Sequence, residues 1–207
     1  MKNIVLAVFF VFLTGCSNIY HNLDHRDTTK TIHDLGVVPI HVDQGFIGSG
    51  FAISDHFIVT ANHVIMTNYH YYVNDIPVTV YKQDPVNDIA ILYIEKHHFK
   101  ILKLADPLLT QNVYAAGYIG YNQTYYPIIC GGRITSIDFN NRILSNCGLQ
   151  PGMSGCPLLN DNGDVVGVTT SCMVWDEYDI LKQFPNTSMS IFTKSEKITQ
   201  LLTVVSY

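Results

Sequence analysis

From Val37 onward the chain is a succession of short runs rich in Val, Ile, Thr, Tyr and Phe, and this texture constrains the fold more than any other feature. VVPIHV, GFAIS, FIVTA, HYYVN, PVTVYK, IAILYI, VYAAGY, YYPIIC, GRITSI, RILSN, CPLLN, VVGVTT and SMSIFTK follow one another. Turn formers stand between them at Ser54-Asp55, Asn74-Asp75, Asp106-Pro107, Asn140-Asn141 and Asp161-Asn162-Gly163. β-Branched and aromatic side chains suit a pleated, half-buried surface. Turn signals at roughly eight- to twelve-residue spacing leave room for a strand and its return, so an all-β sandwich or barrel is expected. Only SEKITQLLTVV has a helical period. Ser195 is its expected N-cap, Glu196 sits in the first turn, and Ile198, Leu201, Leu202 and Val205 share one face.

Two segments precede this texture. Lys2 is followed by an unbroken apolar stretch from Ile4 to Leu13 and then by Leu13-Thr14-Gly15-Cys16. A positive start and roughly ten apolar residues read as a secretory signal, too short to span a bilayer as a mature helix. The last four residues resemble the lipobox of bacterial lipoproteins; an ordinary signal peptide with an incidental Cys is the alternative. The resemblance implies a signal over residues 1–15, acylation of Cys16 as the first mature residue, and anchoring to a bacterial cell-envelope membrane. Several acyl chains, at roughly 0.8 kcal/mol per buried methylene, would hold the protein there. The non-acidic Ser17 is compatible in that family with the outer membrane. Residues 16–36 are polar and their His and Asp residues show no consistent period, which reads as a solvated tether rather than a metal site.

A net charge of −5 with no basic run argues against a nucleic-acid partner. Beyond Cys16, the thiols are Cys130, Cys147, Cys156 and Cys172, an even set that an oxidising compartment favours pairing as two disulfides. A metal site is the rival, but no C-x-x-C pair or close Cys/His spacing occurs among them, so neither metal nor cofactor is expected.

CGLQPGMSGCPLLN, from Cys147 to Asn160, sets Ser154 beside glycines ahead of a short apolar run. A serine hydroxyl is a weak nucleophile at neutral pH and needs an adjacent base, usually a His oriented by a carboxylate. His63 stands in FIVTANHVI, where an apolar strand ends in a tight turn that can hold a base rigidly. His21, His25 and His33 lie in the tether, His97 and His98 in a charged turn that reads as solvated, and His41, His56 and His70 lack supporting context. Asp88 leads directly into the apolar run of NDIAILYI, where an unpaired charge would be costly and an imidazolium is a good partner. Asp84, ahead of Pro85 in a polar turn, is the competitor and reads as turn chemistry.

GSGFAISDHFIVTANHVI, DPVNDIAIL and QPGMSGCPLLNDNGDVVGVTTS resemble, in this order, the three core blocks of trypsin-like serine proteases. The resemblance is to the compact bacterial branch near HtrA-type protease domains and glutamyl endopeptidases, and runs over residues 37–207. It implies two antiparallel six-stranded β-barrels, meeting near residues 106–112, with the active site between them and a C-terminal helix. It implies a serine endopeptidase acting on protein or peptide substrates through an acyl-enzyme, and a monomer. Ser154, His63 and Asp88 would be nucleophile, base and orienting acid, and the N–H groups of Gly152 and Ser154 would form the oxyanion hole. Thr169 to Cys172 would be the edge that pairs with substrate, with Thr170, Ser171 and Cys172 touching it. The pocket base would lie near Gly148 and Leu149.

Two positions depart from the family. Met153 replaces the Asp or Asn common there, so no ion pair to a newly released N-terminus can form and no activation by cleavage near Val37 is expected. Cys156 replaces a second Gly. Barrel topology by analogy leans towards Cys130–Cys156 with Cys147–Cys172, and Cys130–Cys147 with Cys156–Cys172 is the alternative. No Asp near Gly148 attracts a basic side chain, and a small or medium apolar residue is the expected preference. Residues 173–188 form a long insert, read equally as a loop over the pocket or a surface excursion. The rival functional reading is a catalytically inactive lipoprotein that keeps the fold as a binding module.

Overall fold

The computed structural model describes residues 31–43, 45–121, 124–138, 140, 142–173 and 189–203. Six strands, β1 (Val37–Val42), β2 (Gly45–Ala52), β3 (Phe57–Thr60), β4 (Tyr71–Val73), β5 (Ile76–Asp84) and β6 (Ile89–Tyr93), close in the order β1-β2-β3-β6-β5-β4. Six more close in the order β10-β11-β12-β9-β8-β7: β7 (Asn112–Tyr121), β8 (Thr124–Ile137), β9 (Arg142–Ser145), β10 (Pro157–Leu159), β11 (Val165–Met173) and β12 (Met189–Lys194). Adjacent strands pair antiparallel throughout, and each set of six closes on itself. The expected all-β class, with two six-stranded barrels and a C-terminal helix, is the observed one.

The period of two along a strand explains why the apolar runs look continuous rather than alternating. Val38, Ile40, Ile58 and Leu92 point into the first barrel, whereas their neighbours Val37, Val59 and Ile89 point the other way. That second set packs with Phe51 against Ala116, Tyr118, Leu159 and Val168 of the second barrel, whose own interior holds Val113, Ile134, Ile143 and Phe192. Strands buried on both faces thus fuse the two barrels along an apolar seam.

Three local expectations need correction. Residues 31–34 form a helical turn, and Ile32 is fully buried in the seam, so the folded domain begins before the expected end of the tether at residue 36. His97 is buried rather than solvated. Its Nε2 bonds to the Ser54 carbonyl at 2.7 Å, its Nδ1 accepts the Phe99 N–H at 3.0 Å, and its ring stacks on Phe99. Ser195 does precede the helix (Glu196–Thr203), but its hydroxyl donates to the Ala105 carbonyl at 2.6 Å instead of capping a helical N–H. Ile198 joins the seam with Leu201 and Leu202 packed beside it; Val205 lies outside the described residues.

Candidate active site

His63 sits in a single turn of 3-10 helix, Asn62–Val64, entered directly from the end of β3. Asp88 precedes β6, the strand that pairs with β3 through Thr60 and Ala90, so register alone brings the two turns together. Three contacts then lock them. The Asn62 N–H donates to the Asp88 carbonyl at 3.1 Å, the His63 N–H donates to Asp88 Oδ1 at 2.9 Å, and His63 Nδ1 meets Asp88 Oδ2 at 2.7 Å. The backbone of Asp88 is left-handed, with φ +54°, a conformation Asp tolerates better than most residues. An ionised carboxylate only accepts, so Nδ1 carries the proton in that contact and the lone pair of the neutral ring lies on Nε2. The hydrogen bond to Asp88 favours the charged imidazole and, exceeding the opposing effect of burial, raises the His63 pKa above its ordinary value. Asp84, the competing carboxylate, is occupied in its own turn, accepting the Val86 and Asn87 N–H groups at 3.1 and 3.0 Å.

The loop carrying Ser154 is bent by two glycines. Met153 N–H donates to the Gln150 carbonyl at 3.1 Å, and Gly152 has φ +99°. With Pro151 ahead of it, this is the sequence and geometry of a type II turn. Gly155 has φ +82°, and its Cα presses on the first barrel: a Cβ there would fall 2.3 Å from Thr60 Oγ1 and 2.7 Å from the Ala61 nitrogen. The nucleophile candidate is therefore seated against the segment that leads into His63. On its other side the loop is laced to β11, Gly155 N–H to the Thr169 carbonyl (2.8 Å) and Thr169 N–H to the Cys156 carbonyl (2.9 Å). The N–H groups of Gly152 and Ser154 carry no hydrogen bond among the described residues. Met153 is fully buried in the core of the second barrel, so apolar packing, not an ion pair, holds this turn down.

Among the other expected site residues, Gly148 is exposed, and a Cβ there would meet open space. Leu149 packs partly against the second core. β10 pairs with β11 only as far as Val168, so beyond Thr169 that side of β11, at Thr170, Ser171 and Cys172, has no strand among the described residues. Cys130, Cys147 and Cys156 are free thiols, so the expected bridges Cys130–Cys156 and Cys130–Cys147 are not formed. Burial raises the pKa of all three, Cys156 to about 12, which disfavours the thiolate form. The Cys172 side chain, Cys16 and residues 174–188 lie outside the described residues.

Sequence reasoning missed Ser49 and Thr60. Both are fully buried, and the Thr60 hydroxyl donates to the Ser49 carbonyl at 2.8 Å, just beneath the site. The only signal available was the GSG string, in which a small polar residue interrupts an otherwise apolar strand.

Comparison with known proteins agrees with this fold. Residues 48–168 match the trypsin-like peptidase domain family. A probable periplasmic serine endoprotease, DegP-like, of Chlamydia pneumoniae is 31% identical over 148 residues, covering 60% of this chain and 28% of that protein. Its counterpart in Marinomonas sp. is 35% identical over 137 residues, covering 60% of this chain and 29% of the relative. The chain thus spans less than a third of the length of these curated relatives. Among solved structures, the active form of the Rv3671c protease from M. tuberculosis superposes with a TM-score of 0.66 at 23% identity, covering 87% of this chain and 85% of that one. The serine endoprotease from Yersinia pestis gives 0.67 at 19% identity, covering 85% of this chain and 64% of that one. The paired barrels, the His–Asp pair at their junction and the match over residues 48–168 lead to one assignment: this chain belongs to the trypsin-like peptidase family.

Proposed function

We propose that the protein is a serine endopeptidase in which Ser154 attacks the scissile carbonyl, His63 is the base and Asp88 orients it. The observation that carries this reading is the doubly bonded His63–Asp88 pair, which leaves Nε2 as the basic nitrogen of the neutral ring. As the Ser154 oxygen bonds to the carbonyl carbon, its proton passes to Nε2, and the carbonyl oxygen takes up the displaced electron pair. The uncommitted N–H groups of Gly152 and Ser154 are suited to donate hydrogen bonds to that negatively charged oxygen, an interaction that strengthens only as the reaction proceeds. Collapse breaks the C–N bond, and His63 returns its proton to the departing amine, leaving an acyl-enzyme. Water then attacks by the same route in reverse, with His63 again as base.

An extended peptide adds to the free side of β11 at Thr170, Ser171 and Cys172, and its selected side chain lies towards Gly148 and Leu149. The buried Met153 supports a turn that needs no activating ion pair. Export and acylation at Cys16 complete the reading, supported by the leader and by the periplasmic designation of the relatives. Among the described residues no helix is long and apolar enough to cross a membrane.

A fluorophosphonate probe tests the nucleophile. The wild type is expected to label stoichiometrically and Ser154→Ala not at all; a wild type that does not label contradicts the enzyme and favours a binding module. The pH profile tests the base. Neutral His63 is the active form and Asp88 raises its pKa, so kcat/KM should fall as pH drops through a midpoint above the ordinary value of 6.5. An ascending limb centred below that value would contradict the pairing.

A further inference from the structure

Ser49 lies on β2 of the first barrel and is fully buried, yet it makes four hydrogen bonds, three of them to the other half of the molecule. Its N–H donates to the Ser154 carbonyl at 2.9 Å, and its own carbonyl accepts the Thr60 hydroxyl at 2.8 Å. Its hydroxyl donates to the Gly152 carbonyl at 2.9 Å and accepts the Tyr118 N–H at 2.9 Å. One side chain thus bonds the glycine of the turn, its backbone bonds the nucleophile residue, and its carbonyl ties both to the strand that delivers His63. The site around it is fitted closely: a Cβ at Gly117 would lie 3.1 Å from Ser49 Oγ.

The carbonyl that Ser49 holds belongs to the Gly152–Met153 peptide, whose N–H end is held by the Gln150 carbonyl. With both ends fixed, that peptide plane cannot rotate. Without the hydroxyl, one end is free, next to a glycine whose backbone has more accessible states than any other residue. Donors that must be re-aimed during the reaction lose the advantage that makes an oxyanion hole effective, since the reorganisation is then a cost of each turnover. We propose that Ser49 is a positioning residue for the oxyanion hole: by holding the Gly152 carbonyl it keeps the N–H groups of Gly152 and Ser154 aimed at the acyl oxygen. This rests on the assignment of Ser154 as nucleophile.

The test uses the full-length protein and p-nitrophenyl acetate, a small acyl donor that needs no specificity pocket, with active sites counted by fluorophosphonate titration. Ser49→Ala is expected to lower the acylation rate per titrated site by roughly ten- to a hundredfold, less than the outright loss of an oxyanion donor. A purely structural tie would instead reduce the number of titratable sites and the thermal midpoint while leaving the rate per site unchanged; that result overturns the inference. If the alanine variant does not fold, Ser49→Cys, assayed under reducing conditions, keeps a longer and weaker donor. A rate per site at least about threefold below wild type then supports the inference, and equality overturns it. A wild type that neither labels nor releases p-nitrophenol would instead remove the nucleophile assignment beneath it.

Discussion

Gly155→Ala should lower the unfolding free energy by about 4 kcal/mol or more, a large share of the roughly 5–15 kcal/mol available to a domain. Two costs combine. The residue has φ +82°, where an L side chain is strained, and the new methyl would sit 2.3 Å from Thr60 Oγ1, 2.4 Å from the Ser49 carbonyl and 2.7 Å from the Ala61 nitrogen. Two of those atoms are backbone of the first barrel, so relief requires the nucleophile loop and that barrel to part along their seam. In the Ser154→Ala background, where self-digestion is prevented, the thermal midpoint should fall by roughly 8–16 °C for a chain of this size. A midpoint within a degree or two of the parent would mean that the loop does not press on the barrel as described.

Asp88→Asn should leave the fold intact and lower kcat/KM by roughly three to four orders of magnitude. Asn matches Asp in size and tolerates the left-handed backbone at this position. Its amide oxygen can still accept the His63 N–H, but its NH2 group then faces Nδ1, which Asp88 Oδ2 contacts at 2.7 Å. Nδ1 must become the acceptor, the ring proton moves to Nε2, and the base can no longer take a proton from Ser154. The charged ring also loses its partner, so any residual ascending limb should move to lower pH than in the wild type. Steady-state kinetics of both proteins, with circular dichroism to verify folding, decides this. A loss of less than tenfold would contradict the orienting role of Asp88.

The parts of the fold and site that were legible in the sequence are those set by local chemistry. Val, Ile and Thr runs between Asn, Asp, Pro and Gly turns specify strands, and the polar Asp88 placed immediately before an apolar strand marks a charge that needs a partner. Asp84 reads correctly as a turn former because its bonds reach only two and three residues along the chain. Ser49 was not legible because its partners Tyr118, Gly152 and Ser154 lie far along the chain, and a serine between two glycines carries no mark of a particular distant carbonyl. His97 was hidden by the opposite problem: its charged neighbours suggest solvent, whereas stacking on Phe99 and the bond to the Ser54 carbonyl draw the ring inward. Ile32 sits alone among polar residues, and only the seam between the barrels gives it a place to be buried. The thiols follow the same pattern. Their even number suggests pairing, but whether two sulfurs meet depends on barrel geometry that composition does not encode.

The most direct measurement of the central claim is intact-mass spectrometry of the wild-type protein, acid-quenched during turnover of p-nitrophenyl acetate, followed by peptide mapping of the adduct. The expected result is one acetyl group per chain, carried on Ser154, appearing with a stoichiometric burst of p-nitrophenol and absent from Ser154→Ala. Acetylation at another residue, or turnover with no covalent adduct and no burst in a protein whose fluorophosphonate titre is also zero, would contradict it.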